Sequence, residues 1–342
     1  MALDRRAFEQ QAEWCRALGS ELTARVLDAA VACLDDSTAT GRMICNWPGE
    51  AGPMKDVVPL RLTGALHAMV ASGKAAELVA VYPPHELPAL KDLTPRVAEA
   101  VRACDAEIME FLKHAPQTNE VARASVLISG LSVVAEETGL PLELYEIGAS
   151  GGLNLNLDRF GYQMGEATFG DAKSAVQLAP KWEGSAPTVM PEIIGRTGCD
   201  LNPIDVTDAD QALRLQSYVW PDQADRLERV KAAIGIAQAH PPKLDAMDAA
   251  FWVGQMNRVP PPKDRYRVFM HSIAWQYMPD TVQRQITLSM AGAGARGDQV
   301  AWVAFELNAK GQAELTLRIW PEVKKLVLAR ANPHVQWVEW LG

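Results

Sequence analysis

The residues best suited to binding a ligand lie between Glu146 and Asn154. The acid Glu146 ends a short apolar run, and Gly148, Ser150 and Gly152 follow it at every second position. A glycine turn between a buried strand and a helix lets the backbone approach a ligand closely, and the helix start offers free N–H groups. Because α/β proteins build nucleotide sites in this way, the segment predicts a nucleotide pocket.

The spacing of this turn separates two cofactor classes. It departs from the dinucleotide fingerprint G-x-G-x-x-G, because Ser150 takes the place of the second glycine and Leu153 that of the third. It resembles instead the first motif of the class I S-adenosylmethionine-dependent methyltransferases, an acid followed by Gly-x-Gly-x-Gly. The resemblance implies that S-adenosylmethionine is the cofactor, that Glu146 positions its amino-acid part, and that the backbone from Gly148 to Asn154 passes beneath it.

Two later acids extend this resemblance. Asp200, in Gly-Cys-Asp, matches the end of the second methyltransferase strand, whose acid binds the ribose hydroxyls, and Asp248, in Met-Asp-Ala, matches the third, whose acid meets the adenine amine. Two structural alternatives stay open, an Asx turn before Pro203 for Asp200 and a helix N-cap for Asp248. A β-hairpin insertion around 161–192 is expected to explain the long separation between the turn and Asp200.

Candidate catalytic groups flank these elements. A sulfonium-bound methyl chiefly needs alignment with a nucleophile, and a base only where that nucleophile is a hydroxyl or a protonated amine. His271, at the end of the fourth predicted strand, is the candidate base, with Glu120 second and Ser272 beside the cofactor. A hydrogen-bonded core role for His271 and a helix-cap role for Glu120 stay open. The predicted pocket is completed by Asn119, Arg123, Trp220, Trp275 and Tyr277.

The order of elements predicts an α/β fold with two domains. Residues 1–116 read as helices only, whereas 117–342 alternate strands and helices. The second domain is expected to be a Rossmann-like class I methyltransferase sheet that ends in an antiparallel hairpin of its sixth and seventh strands. The first is expected to be an all-helical domain. Helical domain and insertion together would cover the pocket, which favours a small-molecule substrate.

Four segments together resemble a bacterial family catalogued as domain of unknown function 2332. They are residues 117–121, 146–155, 198–203 and 219–221. This resemblance covers most of the chain and implies no activity of its own.

Composition and charge exclude several classes of partner. A net charge of −9 and an isoelectric point of about 5.3 lack the positive field that non-specific nucleic-acid binding needs, so no nucleic acid is expected. Five scattered cysteines indicate reduced thiols in a cytoplasmic protein, and six dispersed histidines argue against a bound metal. No uncharged apolar run approaches membrane-spanning length, so no membrane partner is expected.

Two other function classes remain. A nicotinamide-dependent oxidoreductase is disfavoured by Ser150 and by the expected closing hairpin. A catalytically inactive cofactor-binding or scaffold protein of methyltransferase fold stays open, because the sequence contains no clear catalytic dyad. The sequence predicts neither the methyl-accepting atom nor the oligomeric state.

Overall fold

The structure, a computed structural model, describes residues 3–53, 55–321 and 324–342. It divides into two compact units, Met1–Thr118 with Asp208–Lys231, and Asn119–Thr207 with Ala232–Gly342. Among the described residues, the first unit is helical and the second holds every strand. The helical N-terminal region and the mixed α/β character are therefore confirmed, while the predicted boundary after residue 116 stays a prediction.

The helices and strands have the following bounds. The helices are α1 (Arg5–Ala17), α2 (Glu21–Cys33), α3 (Ala39–Cys45), α4 (Val58–Ala71), α5 (Ala76–Val79), α6 (Leu90–Ala103), α7 (Asp105–Leu112), α8 (Ala124–Thr138), α9 (Ala209–Ser217), α10 (Ala224–Ala239), α11 (Ala249–Met256) and α12 (Asp280–Ala295). The strands are β1 (Leu142–Ile147), β2 (Gly161–Met164), β3 (Ala167–Gly170), β4 (Gln177–Leu178), β5 (Lys181–Glu183), β6 (Ile193–Asp200), β7 (Lys243–Ala246), β8 (Tyr266–Ser272), β9 (Val300–Leu307), β10 (Ala313–Ile319), β11 (Lys324–Ala331) and β12 (Trp337–Trp340). Short 3-10 helices cover Val121–Arg123, Leu153–Arg159 and Trp275–Tyr277.

Acids from distant parts of the sequence cap helices of the first unit. Asp222 accepts the backbone N–H of Leu22 at 2.9 Å near the start of α2. Asp105 accepts those of Ala39 and Thr40 at 2.8 and 2.7 Å at the start of α3. The first N–H groups of a helix have no partner within it, so these carboxylates stabilise both helix starts. The helices enclose an apolar core that includes Phe8, Leu27, Leu62, Leu66 and Ile108.

Nine strands form the large sheet of the second unit, in the order β5-β12-β11-β10-β9-β8-β1-β6-β7. The strands β7, β6, β1, β8 and β9 are parallel neighbours. Taken in chain order, these five strands lie third, second, first, fourth, fifth across the sheet. The order reverses at β1, so the glycine turn that follows β1 lies where the strand order changes direction.

The closing strands differ from the predicted hairpin. In the described residues β10 pairs antiparallel with β9, β11 with β10, and β12 with β11, so the predicted hairpin of a sixth and seventh strand is wrong. Strand β11 lies between β10 and β12, so the last strands are successive antiparallel neighbours, and a tight turn joins β9 to β10. Oδ1 of Asn308 accepts the backbone N–H groups of Lys310 and Gln312 at 2.9 and 3.1 Å, and Gly311 has a φ of 76°. The chain reverses within this turn, which makes β10 the neighbour of β9.

The segment after the glycine turn is not the α-helix that the sequence predicted. Leu153–Arg159 is a 3-10 helix with non-helical backbone at Asn156. Arg196 of β6 holds this segment, because it donates to the carbonyl of Leu155 at 2.8 Å and to both carboxylate oxygens of Asp158 at 2.7 and 2.9 Å. These bonds fix the segment in its short, irregular form against the sheet.

A small sheet follows this 3-10 helix. Strands β2 and β3 form an antiparallel hairpin, and β4 pairs with β2 in parallel, which gives the order β3-β2-β4. These strands lie within the segment predicted as an insertion. Strand β5 then joins the large sheet at its edge, parallel to β12.

Helix α8 packs closely on the large sheet. A Cβ at Gly130 would lie 3.0 Å from Cγ1 of Val303 and 3.3 Å from Cδ2 of Leu315, so only glycine permits this approach. Other buried residues of this unit include Trp252, Phe269, Ile286 and Met290. The packing of α8 positions the polar residues just before it, Asn119 to Arg123.

Candidate functional site

The glycine turn after β1 has backbone angles that side chains rarely allow. The φ values of Gly148, Ser150 and Gly152 are 69°, 53° and 66°. A Cβ at Gly148 would lie 2.9 Å from Cβ of Ala274, and one at Gly152 would lie 2.6 Å from Cγ of Pro242. The two glycines are therefore required both by conformation and by space.

Asp200, at the tip of β6, fixes this turn. Its Oδ2 accepts the backbone N–H of Ser150 at 2.9 Å, and its Oδ1 accepts that of Asn202 at 2.9 Å. The carbonyl of Ser150 in turn accepts the backbone N–H of Ile204 at 3.1 Å. Asp200 thus lies beside the turn, and its bond to Asn202 forms the Asx turn that the sequence analysis left open.

The residues before α8 hold the far end of the turn. Oδ1 of Asn119 accepts the backbone N–H of Leu153 at 2.9 Å. The side-chain amide of Asn154 donates to the carbonyl of Glu120 at 3.4 Å. Two of the predicted segments therefore meet, although the Leu153 N–H that a helix start would offer to a ligand already has a partner.

Three buried polar atoms of this segment have no hydrogen-bond partner among the described residues. They are Oε2 of Glu146, Oγ of Ser150 and Oδ1 of Asn154. The three residues are 2%, 5% and 0% exposed. Since buried polar groups nearly always have a partner, the three atoms mark this segment as a candidate ligand site.

Glu146 has the most perturbed carboxyl of the site. Burial and the nearby negative charge of Asp200 raise its pKa to about 8, and the positive charge of Arg123 opposes this rise. Carboxyls with such pKa values concentrate at functional sites, because structural acids are normally exposed or paired.

Both ring nitrogens of His271 have partners. Nδ1 lies 2.6 Å from Oε1 of Glu306, and the indole N–H of Trp302 donates to Nε2 at 2.9 Å. The ring is 1% exposed and stacks on Trp275 with a centroid separation of 5.2 Å. His271 is therefore a buried, hydrogen-bonded residue, as the structural alternative held. A base at Nε2 would first have to lose the bond from Trp302.

Glu306 and Trp302 were missed by the sequence reasoning. Besides His271, Oε1 of Glu306 accepts the backbone N–H groups of Ala274 and Trp275 at 3.0 and 3.2 Å. It therefore holds the turn at the end of β8 that contacts Gly148. A signal was present, since Glu306 is the charged residue that ends the otherwise apolar run from Val300.

Glu120 and Arg123 tie the loop after β11 to the end of β8. Oε2 of Glu120 lies 3.1 Å from Nδ1 of His334, a residue that the sequence did not single out. Arg123 donates to the carbonyls of Pro333 and Ser272 at 3.1 and 3.0 Å. Glu120 is 4% exposed, so this second catalytic candidate is also buried and bonded.

Three predicted residues remain, Asp248, Tyr277 and Trp220. Asp248 is exposed and caps α11, since its Oδ1 accepts the backbone N–H of Phe251 at 3.0 Å, as the structural alternative held. Tyr277 is 66% exposed. Trp220 belongs to the first unit, where it lines a shallow pocket with Tyr218.

The described residues contain neither a metal-binding cluster nor a membrane-spanning helix. Within residues 3–53, 55–321 and 324–342, no group of three or more His, Cys, Asp or Glu side chains has the arrangement of a metal site. None of the helices found in those ranges combines the length and the apolar character needed to cross a membrane.

The comparisons with known proteins identify a family. The model of a family described as "Uncharacterized protein conserved in bacteria (DUF2332)" matches residues 5–340. This match confirms the family that the four sequence segments predicted. No curated protein and no solved structure matches the chain.

Proposed function

The chain belongs to this bacterial family, and we propose that it is an S-adenosylmethionine-dependent methyltransferase that acts on a small molecule. The observation that carries the proposal is the position of the glycine turn. It follows β1, the strand at which the order β7-β6-β1-β8-β9 reverses. In parallel α/β sheets, ligands bind beyond the carboxyl ends of the strands at such a reversal.

The residues around the turn fit a nucleoside cofactor with an amino-acid tail. Gly148 and Gly152 let the turn pack against Ala274 and Pro242, and Glu146 offers a buried acceptor that lacks a partner among the described residues. In the proposed complex Glu146 positions the amino-acid part. Asp200, whose two oxygens accept the backbone N–H groups of Ser150 and Asn202, binds the ribose.

Three further predicted residues have smaller roles in this proposal. Asp248 would meet the adenine through a carboxylate that also caps α11. Ser272 contributes its carbonyl to Arg123 and so lies at the rim of the cofactor site. Trp275 is held against His271 and forms part of the pocket wall.

The hydrogen bonds that His271 and Glu120 already make indicate which kind of group could accept the methyl. S-adenosylmethionine, when bound, supplies an activated methyl group. His271 and Glu120 already hold Trp302, Glu306 and His334, which favours an acceptor that needs little help from a base. A thiolate or a neutral amine has this property. We therefore assign His271 a positioning role in the proposed reaction.

Calorimetry with two cofactor classes tests the proposal. S-adenosylhomocysteine should bind in the micromolar range, whereas NADH and NADPH should give no heat. Binding of a nicotinamide cofactor in place of S-adenosylhomocysteine would favour the oxidoreductase alternative. No heat and no thermal shift at millimolar S-adenosylhomocysteine would reject the methyltransferase proposal.

A further inference from the structure

The three partnerless atoms of the glycine turn share one chemical property. Oε2 of Glu146 and Oδ1 of Asn154 can act as acceptors, and the hydroxyl of Ser150 can accept as well as donate. The amide group of Asn154 that could donate is already bonded to the carbonyl of Glu120. The cluster is therefore rich in acceptors, and it calls for a ligand group with several donors.

A primary ammonium group has this property, since it carries three N–H donors on one atom and a positive charge. The charge suits Glu146, whose carboxyl is 2% exposed. The charged groups that act on this carboxyl are Asp200 at the tip of β6 and Arg123 before α8. Burial and the negative charge of Asp200 disfavour the ionised form of the Glu146 carboxyl. Arg123 offsets this effect only in part, so the pKa of Glu146 rises to about 8.

We propose that Glu146, Ser150 and Asn154 form a binding site for a protonated primary amine, and that the amine displaces the proton of the Glu146 carboxyl. The neutral carboxyl and the ammonium become a carboxylate–ammonium pair, and one proton leaves to the solvent. The pair is stable where the lone carboxylate is not, because the arriving cation supplies both the charge and the donors that the buried site lacks.

This inference rests on the proposed function for the identity of the natural ligand, because S-adenosylmethionine carries such an amine. It adds that the cofactor binds with proton release, so its affinity increases as the pH rises from 6 to 8. A ligand with the nucleoside but without the amine should bind with no proton release.

Calorimetry at pH 7 in two buffers of different ionisation enthalpy measures the released proton. S-adenosylhomocysteine should release close to one proton, and 5′-methylthioadenosine, which lacks the amine, should release none. Glu146→Gln should abolish the release and weaken S-adenosylhomocysteine about tenfold or more. Glu143→Gln is the matched control, since Glu143 lies on the same strand but is paired with Arg265 at 2.9 Å. Binding of S-adenosylhomocysteine without proton release overturns the inference and leaves the proposed function intact.

A second measurement does not depend on the adenosyl group. Carboxyl ¹³C NMR of the ligand-free chain, assigned with Glu146→Gln, should show a neutral Glu146 at pH 7. Methylammonium should shift this signal to the ionised position, whereas tetramethylammonium, a cation without N–H donors, should not. If no adenosyl compound binds but methylammonium acts in this way, the proposed function fails and the amine site stands. An ionised Glu146 in the free chain, or the same response to both cations, or to neither, overturns it.

Discussion

Oδ2 of Asp200 accepts the backbone N–H of Ser150 at 2.9 Å, so an acid at the tip of β6 fixes the turn at the tip of β1. Its other oxygen accepts the backbone N–H of Asn202 at the same distance. The sequence offered an Asx turn and a ribose contact as alternatives for this acid. The turn is present in the structure, and the ribose contact stays a prediction.

Replacing Asp200 should loosen the glycine turn. Asp200→Ala removes the acceptors of two backbone N–H groups and is expected to lower the free energy of unfolding by about 1–3 kcal/mol. It should also weaken S-adenosylhomocysteine at least about tenfold, which is about 1.4 kcal/mol. Asp200→Asn keeps one carbonyl acceptor, so its stability and its affinity for S-adenosylhomocysteine should lie between those of the wild type and of Asp200→Ala. Urea unfolding and calorimetry measure these changes.

The control for this pair is Asp264→Ala. Asp264 is an exposed acid that bonds to its neighbour Arg265, so its loss should change neither quantity. An Asp200→Ala chain with unchanged stability and affinity would remove Asp200 from the site.

A side chain at Gly148 should push the turn away from the end of β8. Gly148→Ala places a Cβ 2.9 Å from that of Ala274 at a φ of 69°, whereas Gly139→Ala has a similar φ of 64° and meets nothing within 4 Å. Both changes carry the left-handed strain of about 1–2 kcal/mol. Gly139→Ala therefore serves as the control for the effect of left-handed strain on folding.

Gly148→Ala should weaken this affinity severalfold and Gly148→Arg should abolish it, while Gly139→Ala should leave it unchanged. Equal affinities in the two alanine variants would mean that the space beside Gly148 has no part in binding.

Local patterns predicted the regular elements well. The apolar stretch between Val57 and Ser72 predicted a helix that the structure has at Val58–Ala71, and the apolar run from Val300 predicted β9. Residues distant in sequence decided the rest. The segment after the glycine turn depends on bonds from Arg196, some forty residues away. Composition and periodicity do not encode such contacts.

The candidate site divides in the same way. The sequence pointed to Asn119, Glu146, Ser150 and Asp200 because glycine spacing and acids at strand ends are local signals, and their roles in binding stay predictions. The partners of His271 lie on a neighbouring strand, and only the pairing of β8 with β9 brings them together. The pocket role of Trp220, which belongs to the first unit, stays a prediction.

Removing Glu306 should release the turn after β8. Glu306→Ala takes the acceptor from His271 and from the backbone N–H groups of Ala274 and Trp275, so hydrogen exchange at these two amides should become faster. The expected loss of stability is about 1–3 kcal/mol. Glu314→Ala, on β10, is the control, since its carboxylate only approaches Arg330 at 3.6 Å. Unchanged exchange at Ala274 and Trp275 would contradict the positioning role of Glu306.

The ion pair of Arg196 with Asp158 should matter far more than surface pairs. Their side chains are 17% and 18% exposed, and Arg196→Met leaves a largely buried carboxylate without its cation. We expect a loss of about 3 kcal/mol, measured by urea unfolding. Arg102→Met breaks an exposed pair with Glu99 and should cost less than about 0.5 kcal/mol. Similar losses in both variants would mean that the bidentate pair does not hold the 3-10 segment.

The buried carboxyl of Glu146 should make the folded chain less stable as the pH rises. Its pKa is raised from 4.5 to about 8 in the folded chain, so the folded state keeps a proton that the unfolded state has lost between these values. The contribution is full below pH 4.5 and falls by up to about 1.4 kcal/mol per pH unit until pH 8. Glu146→Gln has no such proton, so the free energy of unfolding of the wild type minus that of Glu146→Gln should fall over this range. Glu143→Gln, whose parent acid is paired with Arg265, should show no such trend. If the free energy of unfolding of the wild type relative to Glu146→Gln is constant from pH 5 to pH 8, or increases, Glu146 is ionised in the ligand-free chain. The buried acceptors near the turn would then not need a bound cation.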